Sequence, residues 1–468
     1  MKKIYCLLAG FAMLFSSCDD KLDIVPKGDT TLASVSDLET LMNQPWMLYY
    51  QRGFELDNMI ANSTPQWRRM GDMVNQKQED YYAYMFCDET IDRADLATDD
   101  GLYRDLYEYI NYMNVVISKM PDATGDESQK PRIIAEARVM RAYLHFLAVN
   151  LYARQYDDAT ASTLGGIAYV DDTDVSVQKT KLPLDQVYAK ALEDCSDDVL
   201  ACLKQTAVDN SSRFEADFGY GVRARILFQM KHYDEALKYA NLALGVNGTI
   251  EDRSEIANTA TWLKYEDAPN NYLYITFLNQ ENAGEMSGYT ITPAALSLYE
   301  PGDYVRYYSR EEDWDDNMGR TYGVEGSMVY SGDARVNPFG MRAEQMYYVA
   351  AECLIRKGQY AEGLKLIDKV REKRIHPSKY ASLTTRDGAD TEAGAMKLLQ
   401  DCKRIEMLCT YETFFDLKRW NSETAYASPC VHDYKDYGSY TMNPDSPLWV
   451  LPFPQNAVNF NPSLTQNF

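Results

Sequence analysis

Apolar positions recur at three- or four-residue steps along most of this 468-residue chain, so helices dominate the prediction. From Asp99 to Met120 the series Leu102, Leu106, Ile110, Met113, Ile117, Met120 predicts one helix, which Pro121 closes. From Pro131 to Tyr152, Ile134, Ala137, Val139, Ala142, Leu144, Leu147 and Leu151 predict a second. Pro131 stands in its first turn, where proline is tolerated. A third helix is predicted over about 183–203, and an earlier one over about 35–51.

Two stretches carry a sharper pattern. In Phe218–Val246, Ala224, Leu227, Tyr233, Ala236, Ala240 and Ala243 take the spacing of a tetratricopeptide unit. In Met341–Arg374, Tyr347, Ala351, Leu354, Gly358, Tyr360, Gly363, Ile367 and Val370 do the same. Small residues let two antiparallel helices approach, and a tyrosine at the turn wedges between them. Gly358-Gln359-Tyr360 marks the second turn. The two units are not in tandem, because Tyr233 and Tyr360 stand 127 residues apart. The expected fold is therefore mostly α: tetratricopeptide-like hairpins (generic helical hairpins are the plain alternative) with long irregular insertions and short strands. Helices are expected over about 35–51, 99–152, 183–246 and 341–420. Loop-rich stretches are expected at about 52–98 and 248–338, with an irregular segment at 421–468. Tyr272–Leu278 alternates loosely and predicts a short strand. Irregular stretches of that length inside a compact protein usually carry function.

The N-terminus changes the setting. Lys2 and Lys3 precede an apolar run from Ile4 to Phe15, then Ser16, Ser17 and Cys18. This is the layout of a secretory signal at 1–17, too short to span a bilayer. Cys18 after two small residues predicts lipidation there, with 18–34 a polar tether and 35–468 one domain. An ordinary secretory peptide with a coincidental cysteine is the alternative. Loss of the two leader lysines leaves 45 basic residues against 70 acidic, a balance of −25. A surface so acidic repels nucleic acid, which is excluded as a partner.

Chemistry-bearing motifs are sparse. The cysteines form no C-x-x-C pair, and the four histidines share no ligand spacing, so neither a disulfide framework, a metal nor another cofactor is expected. Cys195/Cys202 and Cys402/Cys409 are each seven apart, which places each pair on one helix face as small buried residues. G-x-S-x-G, H-E-x-x-H, a P-loop and a dinucleotide fingerprint are absent. Paired carboxylates for glycosidic cleavage leave no sequence signature, but repeat scaffolds favour recognition, so no catalytic residue is assigned.

Several segments together resemble the SusD/RagB family of outer-membrane nutrient-uptake lipoproteins. They are Cys18-Asp-Asp-Lys-Leu-Asp-Ile-Val-Pro26, the Arg-Ala-Tyr helix within Ala135–Leu147, and the loop from Tyr299 through Asp303 to Arg306. Further along come Ala351-Glu352-Cys353-Leu354, Arg404-Ile-Glu406, Phe414-Phe-Asp-Leu-Lys-Arg-Trp420, Leu451-Pro-Phe-Pro-Gln455 and Asn461-Pro-Ser-Leu-Thr-Gln466. They span the mature chain in order. Thr410-Tyr411-Glu412-Thr413 departs from the family's usual Glu-Gly-x-Arg and puts a local salt bridge in question.

The resemblance implies four helical hairpins supporting irregular loops and a lipid anchor in the outer membrane, facing the cell exterior. It also implies capture of an oligosaccharide, or in some members a peptide, for delivery to a SusC-like TonB-dependent transporter. A scaffold lipoprotein that binds only protein is the other reading. Sugars stack their apolar faces on aromatic rings, so ligand candidates are aromatics in the irregular stretches: Trp67, Trp262, Trp314, Tyr304 and Tyr307. Asn62, Gln66, Arg68 and Arg69 stand beside Trp67 as hydroxyl partners. Trp46, Trp420 and Trp449 read as packing residues. Asp313, Asp315, Asp316 and Asn317 around Trp314 offer oxygens for calcium but lack the glycine turn and bidentate glutamate of a calcium loop.

Overall fold

A computed structural model of the chain describes residues 32–43, 48, 51–65, 80–174, 176–206, 213, 215–254, 272–274, 289–304, 339–408, 410–434 and 437–468. In chain order the main helices are α1 (Val35–Met42), α2 (Gln51–Met59), α3 (Asp80–Met85), α4 (Gly101–Lys119), α5 (Lys130–Tyr152) and α6 (Leu184–Asp194). They continue as α7 (Ala216–Gln229), α8 (Tyr233–Val246), α9 (Ala343–Arg356), α10 (Tyr360–Arg371), α11 (Glu392–Glu406), α12 (Glu412–Asn421) and α13 (Gln455–Phe460). Four two-stranded antiparallel sheets pair β1 (Ser63–Pro65) with β5 (Tyr289–Ile291), and β2 (Gly165–Ala168) with β3 (Lys181–Pro183). They also pair β4 (Tyr272–Tyr274) with β6 (Met341–Arg342), and β7 (Cys430–Asp433) with β8 (Ser439–Met442).

The long helices match the apolar series. Asp100 caps α4 by accepting from the Leu102 and Tyr103 amides at 2.9 and 3.3 Å, which relieves the unpaired first turn. Its inward stripe of Leu102, Leu106, Ile110 and Met113 is buried. α5 is buried nearly all round, as a helix at the centre of a bundle must be. Its apolar side chains join those of α4, α7, α8 and α12 in one continuous core, and a smaller core lies between α9, α10 and α11. Trp420 and Trp449 are buried, as expected.

Both predicted repeat units fold as tight hairpins, α7 with α8 and α9 with α10. Their turns are built alike. The Gly358 and Gln359 amides donate to Ile355 and Leu354, and Lys231 and His232 donate to Phe228 and Leu227. Gly358 takes φ +77°, and Lys231 takes φ +65° at the corresponding place despite its side chain. Gly363 is required by close approach, because a Cβ there would lie 2.6 Å from the Ala351 carbonyl oxygen of α9. α8 packs directly on α9. The helical ridge is thus continuous across the 96 residues that separate these two helices in sequence.

Several expectations need correction. The helix predicted over 183–203 breaks into α6 and a single turn, Asp197–Ala201. Its exposed carbonyls are taken from outside: Arg223 Nη1 donates to Leu192 O and Cys195 O, and Arg138 Nη2 donates to Glu193 O. Cys195 therefore sits buried at the break while Cys202 is exposed, so they do not share a helix face. Cys402 lies on α11, which ends at Glu406; Cys409 is outside the described residues. The helix expected over 35–51 stops at Met42, ahead of Pro45. The stretch 52–98, read as irregular, contains α3, most of α2 and a further turn at Arg93–Leu96. The segment 421–468 carries the β7/β8 hairpin and α13. Leu32–Ser34, read as the end of the tether, is already part of the body: Ser34 caps α1 and bridges Thr124.

Candidate functional site

The two loop-rich stretches flagged in the sequence meet. β1 runs antiparallel to β5 with Ser63 opposite Ile291, Thr64 opposite Thr290 and Pro65 opposite Tyr289. This seam joins the chain just before Trp67 to the return limb of the 248–338 insertion. It is fastened from below. Thr292 donates its amide to Asn62 O at 2.9 Å and its hydroxyl to Ala61 O at 2.8 Å. Arg404 Nη2, from α11, donates to the same Ala61 carbonyl at 2.9 Å, and its Nε donates to Asn62 Oδ1. Ala61 takes φ +58°, a left-handed turn that directs the chain from α2 into β1.

A second clasp holds the start of that turn. The His432 ring, on β7, lies between Met59 O (Nε2, 3.1 Å) and Met85 O (Nδ1, 2.8 Å). Burial pushes this imidazole below its ordinary pKa, against the opposing pull of the two carbonyls. Tyr434 donates its hydroxyl to Met85 O as well, which completes the polar pairing there.

The insertion is tied to the helical body at three further points. The Arg253 amide donates to Lys373 O, β4 pairs with β6, and Asp303 bridges Ile375. Tyr304 follows: its amide donates to Arg374 O at 2.9 Å, and its half-buried ring meets His376 edge-on at 6.3 Å between centroids. Glu300 anchors the same loop by accepting from Arg371 Nε and Nη2 at 3.0 and 2.6 Å, and from Arg386 at 2.5 Å.

Beneath these ties lie buried ion clusters built from the signature segments. Glu406 accepts from Arg253, Arg342 and Arg374 at 2.8–3.1 Å. Glu352 accepts from Arg419 at 2.5 and 2.9 Å, from Arg356 at 2.8 Å and from the Trp420 indole at 3.0 Å. Burial alone would raise both carboxyl pKa values. The surrounding guanidinium charges outweigh it and hold both well below the usual carboxylate range. At the departure in 410–413 a salt bridge is present with other partners: Glu412 pairs with Arg225 of α7 at 3.0 Å and with Lys403 of the preceding helix α11 at 3.4 Å.

Of the predicted ligand residues, Tyr304 is placed as above. Trp67, Trp262, Trp314 and Tyr307 lie outside the described residues, as do Cys18, Arg306, Trp46 and the acidic group Asp313–Asn317. Asn62, read as a hydroxyl partner, is instead buried and committed to Arg404 and Asp57. Arg404 had a sequence signal in Arg404-Ile-Glu406. Thr292 and His432 had none, since their roles depend on strands far away in sequence. Among the described residues no cluster of His, Cys, Asp and Glu fits a metal ion, and no helix is long and apolar enough to cross a membrane.

Two family models match the chain. The one described as the SusD family covers residues 321–468, and the one described as starch-binding, associating with the outer membrane, covers 22–227. The chain belongs to the SusD/RagB family. Solved structures of this superfamily share its fold. A SusD superfamily protein of Bacteroides thetaiotaomicron matches with TM-score 0.71 and 17% identity, over 93% of this chain and 100% of that one. A SusD superfamily protein of Bacteroides fragilis matches with TM-score 0.69 and 14% identity, over 93% and 100%. A SusD-like carbohydrate binding protein of Bacteroides vulgatus matches with TM-score 0.66 and 14% identity, over 92% and 97%. No curated protein matches in sequence.

Proposed function

We propose that this SusD-family protein captures an oligosaccharide at the outer face of the outer membrane and delivers it to a SusC-like TonB-dependent transporter. The observation that carries the reading is the β1/β5 seam. It fastens the loop entering Trp67 and the insertion bearing Trp262, Trp314, Tyr304 and Tyr307 to one helical ridge. Recognition loops held at their bases by a packed scaffold keep a geometry that sugar rings need. The starch-binding description of the matched model supports carbohydrate as the ligand class. No catalytic step is part of this reading. Lipidation at Cys18 would hold the body at the membrane surface, since each buried methylene of an acyl chain contributes about 0.8 kcal/mol.

Calorimetric titration of the mature protein with neutral oligosaccharides tests the capture. Trp67→Ala and Trp314→Ala are each expected to weaken binding about two- to tenfold, the loss of one aromatic stacking contact, with the melting temperature unchanged. Unchanged affinity in both moves the site elsewhere. Binding of peptides alone turns the reading to peptide uptake, and a transporter that co-purifies with a body binding neither leaves a scaffold. Mass spectrometry of the native protein is expected to find an acylated Cys18. An intact leader or a free N-terminal amine there overturns the anchor.

A further inference from the structure

A cleft of about 210 Å³ opens between the Ser297–Tyr304 loop and helices α10 and α11. It is distinct from the seam and lies at the foot of the insertion. Four arginines and four carboxylates line it, so it carries no net formal charge and favours neither an anion nor a cation. Leu298, Leu398 and Ile405 give it an apolar wall.

Tyr348 decides what the cleft is for. This α9 residue is only 2% exposed and lines the cleft, yet its hydroxyl has no hydrogen-bond partner among the described residues. The groups that act on that hydroxyl electrostatically, Cys402, Glu406, Arg374 and Arg371, all line the same cleft, so the hydroxyl faces it. The hydroxyl oxygen is not sealed in the interior but opens onto the cleft, where water or a ligand can meet it. Arg386 and Asp401 at the rim have partly exposed side chains, each also held in an ion pair, with Glu300 and Lys397 respectively. Together with Tyr348 they offer donors and an acceptor around an apolar wall, the combination that a ring of alternating hydroxyls and C–H faces requires. The volume lies below the roughly 300 Å³ where drug-sized pockets begin, which suits one ring and not a chain.

We propose that this cleft is a second carbohydrate subsite that takes a single neutral pyranose ring, with the Tyr348 hydroxyl bonding one of its oxygens. It rests on the carbohydrate reading above but uses none of the loop aromatics. The test is saturation-transfer NMR with calorimetry on the mature protein, using D-glucose, D-galactose, D-mannose and N-acetyl-D-glucosamine. D-glucuronate and D-glucosamine serve as charged comparators. At least one neutral sugar is expected to bind, and Tyr348→Phe to weaken it about fivefold, the loss of one neutral hydrogen bond, with unchanged melting temperature. Trp67→Ala and Trp314→Ala are expected to leave that binding intact. Failure of all four neutral sugars, preference for a charged comparator, or unchanged affinity in Tyr348→Phe each overturns the subsite. If oligosaccharides still bind while monosaccharides fail, the subsite falls and capture by the loops stands; if neither binds, both fall.

Discussion

Glu406→Gln is expected to lower the unfolding free energy by about 3–5 kcal/mol, the scale measured when one partner of a buried ion cluster is removed. Glu406 is the shared acceptor for Arg253, Arg342 and Arg374, and its side chain is 4% exposed. Those three guanidiniums reach it from the start of the insertion, from β6 and from the end of α10. Neutralising the carboxylate weakens all three pairs in a water-poor site. Arg253 keeps Glu251 at 3.2 Å and Arg374 keeps Glu344 at 2.8 Å, so each retains one buried carboxylate. Denaturant unfolding reads the loss directly. Glu362→Gln, which breaks an exposed pair with Lys365, is the control and should cost less than about 1 kcal/mol. An equal effect in the two variants would mean that the buried cluster contributes no more than a surface pair. Because Glu406 ties the insertion's base to the ridge, amide exchange around Arg253 and β6 should rise in the variant before the rest of the chain responds.

Acid is expected to destabilise this protein progressively, for a related reason. Glu352 and Glu406 both titrate well below the value of 4.5 that they have when unpaired. The sign follows from proton binding. Below that value the unfolded chain takes up protons that the folded chain refuses, so stability falls as pH falls. Their contribution is complete above about pH 5 and is lost progressively beneath it. A melting temperature flat from about pH 5.5 to 7.5 and dropping steeply below 4.5 is expected for the wild type. The Glu352→Gln/Glu406→Gln double variant should start lower and show a shallower acid slope. An unchanged slope would assign acid sensitivity to other carboxylates, such as Asp194, which Arg141 and Arg138 hold below its ordinary value against the cost of burial.

The helices that are legible from sequence are those whose reasons are local. α4 has its apolar stripe and its Asp100 cap within one stretch, and the α9/α10 hairpin carries Gly358 and Gly363 at the turn and the contact. α2 has no such local case: with Gly53 and few apolar residues, it is held by Leu56 and Met59 packing inward and by contacts from β7. The break after α6 depends on Arg138 and Arg223, which no reading of residues 183–203 includes. Asn62 shows the same limit at the candidate site. Beside Trp67 in sequence it suits a sugar hydroxyl, but Arg404, 342 residues away, claims it.

What the sequence determined by itself is therefore periodic and local: the helical class, the two repeat units, the family signatures, and which stretches interrupt the ridge. Tertiary structure alone decided that these interruptions meet, because β1 pairs with β5 across more than two hundred residues. It also decided which charged residues lie buried together and which tyrosine hydroxyl is left facing a cleft. Period and capping act over one or two helical turns, whereas strand pairing and ion clusters join groups that only the folded chain brings within a few ångströms.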